Sequence, residues 1–181
     1  KLINKHKFNI IINNVTEKQY ASENRNRGSI HSTGDIISYI DADDAMYPRK
    51  LEYVNKYFNE YNPKIFIHSY SDGYSKLVDK KHKLHFGKEI YDYILKATGA
   101  IINDYEDQSK WGVFPDMHHG HVSVSRKVFN KVKFREGKKY KRGQDSMFIR
   151  DILNTYGPNK NTVVFLNIPL SQYIPSEEQN N

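Results

Sequence analysis

The sequence predicts an α/β fold, a three-layer sandwich around a mainly parallel central sheet, and three observations carry that prediction. Short apolar runs at 36–40, 65–70 and 163–168 read as strands, and an amphipathic stripe between the first two reads as a helix. The two kinds of element alternate along the chain instead of segregating into blocks. With 181 residues, 38% of them hydrophobic and 13% aromatic, the chain can bury one core. One domain is expected over residues 1–175, with a loose tail at 176–181.

The elements follow in order. Phe8, Ile10, Ile11, Ile12 and Val15 cluster in a segment, Lys7 to Val15, that reads as a short buried strand. After a polar stretch rich in Asn and Arg, a short helix is expected from Gly28 to Thr33, stopped at Gly34, with Asp35 leading into the strand Ile36 to Ile40. Pro48 starts a helix whose apolar positions Leu51, Val54, Tyr57 and Phe58 recur at i, i+3, i+6 and i+7, and Asn62-Pro63 closes it. Ile65 to Tyr70 is the next strand, and Ser71-Asp72-Gly73 signals a turn. Lys76 to Gly99 reads as irregular apart from a short helix from Lys88 to Lys96. Val122 to Val124 is a short strand, Ser125 to Asn130 a turn or helix start, Asp145 to Asn154 a helix bearing Met147, Phe148, Ile152 and Leu153, and Val163 to Ile168 the last strand.

Composition narrows the chemistry. There is no cysteine, so a metal must be held by carboxylate, imidazole, backbone or water, which favours a hard divalent ion. No apolar stretch approaches the roughly 18 residues of a membrane span and no signal-peptide pattern is present, so a soluble, cytoplasmic protein is expected. The net charge of +7 accompanies abundant Asn, Lys, Ile and Tyr, a pattern that coding bias explains without a polyanion, and no nucleic-acid partner is expected. The densest basic stretch runs from Arg126 to Arg142 and is read either as a phosphate-holding surface or as a solvated loop.

The strand Ile36 to Ile40 empties into Asp41-Ala42-Asp43-Asp44. Carboxylates so close repel by roughly 4 kcal/mol per pair at about 4 Å and an effective dielectric near 20, unless a cation offsets them. The residues alone leave two readings open: a metal site at a strand end, or a solvated acidic turn capping the next helix. A second polar cluster, Asp116, Met117, His118, His119, Gly120 and His121, has imidazoles able to bind Mn²⁺ or Zn²⁺ or simply to sit in an exposed loop, and Trp111 offers either a sugar-stacking ring or a core residue.

Arg25, Asn26, Gly28, Gly34, Asp35, Asp41, Asp43, Asp44, Pro48 and Leu51 fall in one window, and in order and spacing that window resembles the middle of a family 2 glycosyltransferase. The resemblance implies the Rossmann-like fold called GT-A and an acidic D-x-D cluster holding Mn²⁺ or Mg²⁺ against the diphosphate of a nucleotide-sugar donor. Asp41, Asp43 and Asp44 are then the metal candidates, Asp43 first among them, with Asp41 facing the donor ribose or metal-bound water. Arg25, Asn26, Gly28 and Asp35 join Asp41 and Asp43 on the donor side. Asp145, in the stretch RGQDSMFIRDIL, matches the family's acidic residue at a helix start that accepts the acceptor proton, or else caps its helix. Gln144 stands where the family often has Glu. Trp111, His119, His121 and Gln144 would line the acceptor side.

The implied reaction moves a sugar from a UDP-sugar to a carbohydrate or protein hydroxyl, inverting and nonprocessive. The first two strands of the family pattern, which grip the nucleotide, are not in the sequence, so the chain is expected to be part of a longer one. A haloacid dehalogenase is disfavoured by Ala45, and a calcium loop by Ala45 and Met46. A sugar nucleotidyltransferase would need a glycine-rich N-terminal loop. A glycan- or nucleotide-binding module that has lost catalysis at Gln144 remains an alternative.

Overall fold

The computed structural model describes residues 11, 12, 14–72, 84–90, 92, 121–141 and 143–174. Its elements are α1 (Ala21–His31), β1 (Ile36–Ser38), β2 (Ala45–Met46), α2 (Lys50–Tyr61), β3 (Ile65–Asp72), β4 (Leu84–Phe86), β5 (Val122–Ser125), α3 (Arg126–Lys131), a 3₁₀ turn at Lys138–Tyr140, α4 (Gln144–Tyr156) and β6 (Val163–Tyr173).

The strand order is β1-β5-β3-β6-β2, with β4 also on β6. β3 and β6 pair in parallel, whereas β5 is antiparallel to both β1 and β3. β2 and β4 add antiparallel strands along the other edge of β6. The sheet is therefore mixed, not mainly parallel. The reason is an insertion: β1, α2 and β3 form the expected crossover, so β1 and β3 run the same way, but β5 arrives later and slots between them in the opposite sense. Local alternation of elements sets strand direction and carries no record of such a late insertion.

Both faces of the sheet are covered. Ile65, Ile67, Val163 and Phe165 pack with Val122, Val124, Phe129, Phe148, Ile149, Ile152 and Leu153. The alternate positions Phe66, Val164 and Leu166 pack with Val54, Tyr57 and Phe58 of α2. A period of two with both sets buried is the signature of a strand between two helical layers, so the three-layer sandwich stands. Pro169 has no N–H to give the ladder, and the register between β3 and β6 shifts beside its partner Ser69.

Several local expectations change. α1 begins at Ala21, seven residues before the expected start, because its buried face is polar: Ser22, Asn26 and Ser29 recur at i, i+4 and i+7. The Tyr20 backbone N–H donates to Glu23 Oε2 at 2.7 Å and fixes the start. In α2 the buried stripe is Lys50, Val54, Tyr57 and Phe58, while Leu51 is 55% exposed. Asn62, at φ 45°, ends the helix as expected. Residues 84–86, read as irregular, form β4 because β6 offers them an open edge. Ser71 and Asp72 extend β3 instead of turning. Of the strand expected at 7–15, residues 11, 12, 14 and 15 are described and lie in no strand; Ile12 is 78% exposed and pairs with none of the described strands. The tail at 176–181 lies outside the described residues. Among the described residues no helix is long and apolar enough to cross a membrane.

Two side chains fasten α1 to the sandwich. Asn26 Nδ2 donates to the Phe134 carbonyl at 2.8 Å and to Glu136 Oε1 at 2.8 Å, while its Oδ1 accepts from the Phe134 N–H at 3.0 Å. Arg126 donates to the carbonyls of Ser29 and Gly34 and to Ser32 Oγ, supplying a cation and partners where the helix runs out of its own donors. Asn26→Leu would leave both Phe134 backbone groups buried and unmatched, and urea unfolding should show a loss of about 2 to 4 kcal/mol at an unchanged m-value.

Candidate functional site

β1, β3 and β6 all point their carboxyl ends to one edge of the sheet, and the chain leaves β1 there through Tyr39 and Ile40 into Asp41. The Asp44 N–H donates to the Asp41 carbonyl at 3.2 Å, closing a tight turn that presents the acidic residues. β2 then returns to β6, and the Tyr47 N–H bonds the Leu170 carbonyl at 3.1 Å. α2 starts only at Lys50, with Arg49 at its N-cap position and no side-chain cap. The acidic turn therefore does not cap that helix.

The same edge receives the N-terminus of α4. Its N-cap is Gly143, at φ 66°, and no side chain caps it. Asp145 instead faces Arg25 of α1: Arg25 Nη1 lies 3.8 Å from Asp145 Oδ1, and Arg25 Nη2 bonds Asp41 Oδ1 at 3.0 Å. All three side chains are largely covered, at 10% exposure for Arg25, 25% for Asp41 and 17% for Asp145. One guanidinium thus joins two acidic stretches roughly a hundred positions apart in sequence. Arg25 also lies over the Phe134 ring, 5.6 Å from its centroid, which limits where the guanidinium can go.

A groove of about 470 Å³ opens between α1 and the end of β1, lined by Arg25, Gly28, Ser29, Ser38, Tyr39 and Asp41 among others. Gly28 faces open space there, with nothing within 4 Å of where a Cβ would stand. Tyr39 bonds Ser29 Oγ at 3.0 Å, and burial pushes its phenol up to about 12 against the lowering influence of that bond, Arg25 and Arg126. The wall it forms is neutral.

The expected site residues sort as follows. Arg25, Gly28 and Asp41 meet in the groove, with Asp145 joined to them through Arg25. Asp43 is exposed and makes no hydrogen bond or ion pair among the described residues, whereas Asp44 Oδ1 accepts from the Ile174 N–H at 3.2 Å. Asn26 is buried with its amide committed to Phe134 and Glu136, so it holds α1 in place and does not face the groove. Asp35 sits at the opposite end of β1 from the acidic turn, its carbonyl accepting from the Arg126 N–H. His121 is fully buried and stacked on Tyr70 with centroids 4.4 Å apart, and it is not among the residues that line the groove. Gln144 is 8% exposed, and its Oε1 has no hydrogen-bond partner among the described residues. Trp111 and His119 lie outside the described residues.

No three carboxylate or imidazole groups converge on a metal position among the described residues. The donor set at the turn nevertheless fits a hard cation in kind, because Asp43 is an exposed oxygen donor and Asp41, two residues before it on the same turn, is a second one held by Arg25.

Sequence reasoning missed two buried groups beneath the turn. Lys50 is fully buried, its Nζ donating to the Tyr39 carbonyl at 3.1 Å. Burial lowers its ammonium to about 8, against the raising influence of Asp44. His68, also fully buried, donates from Nδ1 to the Ser69 carbonyl at 2.7 Å. Burial and then the Lys50 charge push its imidazole down to about 3. The spacing of Lys50 with Val54 and Tyr57, i, i+4 and i+7, was the available signal for the first.

The sequence profile of the family described as "Glycosyl transferase family 2" matches residues 1–133, a span that holds Arg25 and the acidic turn and stops before Asp145. No curated protein matches the sequence. Among solved structures, S. aureus TarS 1-349 in complex with UDP-GlcNAc is similar at 14% identity and a TM-score of 0.65, over 96% of this chain and 44% of that one. The complex of TarS 1-349 with UDP gives 15% and 0.51 over 88% and 41%, and S. aureus TarS gives 13% and 0.54 over 88% and 25%. This chain thus spans less than half the length of the structures it matches, and at these identities the likeness establishes a shared fold.

Two outcomes follow from the geometry. Arg25→Met leaves two largely covered carboxylates without their cation and should cost about 2 kcal/mol at pH 7; urea unfolding of the variant beside the unsubstituted protein checks it. His68 titrates lower folded than unfolded, so its contribution to stability is complete above about pH 6.5 and is lost as pH falls toward 3. His68→Asn should therefore flatten the acid limb of stability against pH, and an unchanged limb would contradict the burial of a neutral ring.

Proposed function

The chain belongs to glycosyl transferase family 2, and on that premise we propose that it transfers a sugar from a nucleotide-diphospho-sugar, a UDP-sugar, to a hydroxyl of a carbohydrate or protein acceptor, inverting the anomeric centre and adding one sugar per encounter. The observation that carries this reading is the bridge from Asp41 through Arg25 to Asp145, which unites a donor-side acid with an acid at a helix start. The fold shared with TarS, one of whose structures holds UDP-GlcNAc, supports the donor class.

In this reading the groove beside Gly28 takes part of the donor, where a glycine leaves room for it. Asp145 accepts the proton of the acceptor hydroxyl as its oxygen bonds the anomeric carbon. The bond from that carbon to the phosphate oxygen breaks, and its electron pair leaves with the nucleoside diphosphate. Arg25 orients both carboxylates and sets positive charge beside the leaving diphosphate. Asp43 with Asp41 would hold a divalent cation, Mn²⁺ or Mg²⁺, whose chemistry when bound would be to offset negative charge on the leaving diphosphate. Asp44 would support the turn from behind. A cytoplasmic setting belongs to the same proposal.

Gln144 favours a second reading, a binding module of the same fold, because its amide supplies no charge where a glutamate would. The two separate on one assay: UDP release from a UDP-sugar by the intact protein with Mn²⁺. Asp145→Asn should lower turnover by roughly 10²- to 10⁴-fold while retaining donor binding. Equal turnover would remove Asp145 from the role of base, and donor binding by the unsubstituted protein with no turnover would establish the binding module.

A further inference from the structure

A lysine ammonium is seldom withdrawn entirely from water, because its desolvation is costly unless neighbouring groups offset it. Lys50 is such a lysine, and what surrounds it is the acidic turn. Its Nζ bonds the carbonyl of Tyr39, two residues before Asp41, at the point where β1 has ended and its ladder gives out. The Asp44 carboxylate acts on the ammonium from the other end of the turn, and the ammonium in turn acts on the buried, neutral His68 of β3. Asp44 is half-buried, its Oδ2 out of contact with solvent and its Oδ1 accepting from the Ile174 N–H just beyond β6. Asp43, between these anchored ends, is exposed.

We propose that Lys50 is a positioning residue for the turn: the buried ammonium holds the Tyr39 carbonyl, two residues before Asp41, to the protein side, with the Asp44 charge offsetting its own, so that the exposed Asp43 presents its oxygens outward to the cation and diphosphate. Asp44 is then an anchor and not a ligand. The link to cation and diphosphate rests on the proposed transferase function; the hold on the turn does not.

The experiment keeps the two apart. Site-resolved hydrogen exchange on the intact protein, without metal, reads the turn through the Asp44 N–H, bonded to Asp41, and the Tyr47 N–H, bonded to Leu170. Lys50→Met should speed exchange at both at least ~10-fold while Ile149 to Leu153 in α4 keep their protection, and Lys50→Arg should restore the turn in part. Unchanged exchange at Asp44 and Tyr47, or equal acceleration throughout the chain, overturns the proposal. If Lys50→Met does not fold, the double variant Asp44→Asn/Lys50→Met decides: it should fold better than Lys50→Met alone, and the proposal fails if it does not. Titration with Mn²⁺ alone then tests the link to the site. Lys50→Met should weaken Mn²⁺ binding by ~10- to 100-fold and Asp43→Asn by more than Asp44→Asn. Absence of Mn²⁺ binding by the unsubstituted protein would count against the cation site, while the exchange result would still decide the role of Lys50.

Discussion

The guanidinium of Arg25 is the constraint on which the site depends. Asp41 and Asp145 belong to different layers, one leaving the sheet and one opening a helix packed on it, and like charges brought to one edge repel unless a cation stands between them. Arg25 is fixed from three directions: the Phe134 ring lies beneath it, Asn26 ties α1 to the Phe134 backbone, and Arg126 ties the far end of α1 to the start of α3. The helix is polar on its buried face because its work is to place a charge. Its hydrophobic contribution is small.

Beneath that bridge the sheet determines where the edge lies. β3 and β6 are covered on both faces, and the alternation of Ile65, Phe66 and Ile67 against Val163, Val164 and Phe165 locks their register, since a slip by one residue would exchange the two cores. The carboxyl ends of β1, β3 and β6 consequently meet at a fixed edge, the position at which α/β sheets generally receive ligands. Lys50 and His68 occupy the interior just below it, one charged and one neutral, and connect the turn to the core by hydrogen bonds and not by packing alone.

Much of this was legible in the sequence. The acidic turn, the strands around it, α2, α4 and β6 follow from periodicity and punctuation, and the family resemblance of the Arg25 to Leu51 window agrees with the profile match over residues 1–133. The rest was hidden for physical reasons. The early start of α1 escapes a hydrophobic pattern because its periodic residues are Ser22, Asn26 and Ser29. Leu51 and Lys50 differ by one position, yet one residue turns a helix by about 100°, and the neighbours of the turn took the lysine inward. The insertion of β5 between β1 and β3 is a non-local pairing that no local window encodes. His121 looked like a surface ligand because imidazole is at home in both settings, and its stack on Tyr70 is visible only in three dimensions.

The central claim is that the acidic turn and Asp145 form one cation-bearing site joined by Arg25. Paramagnetic broadening of backbone amide signals by substoichiometric Mn²⁺ tests it most directly. The account predicts that the signals of Arg25, Asp41 to Asp44 and Asp145 vanish together while those of Ile152 and Leu153, further along α4, persist. Broadening confined to the turn with Asp145 untouched, or scattered across surface carboxylates such as Glu52 and Asp92, would contradict it.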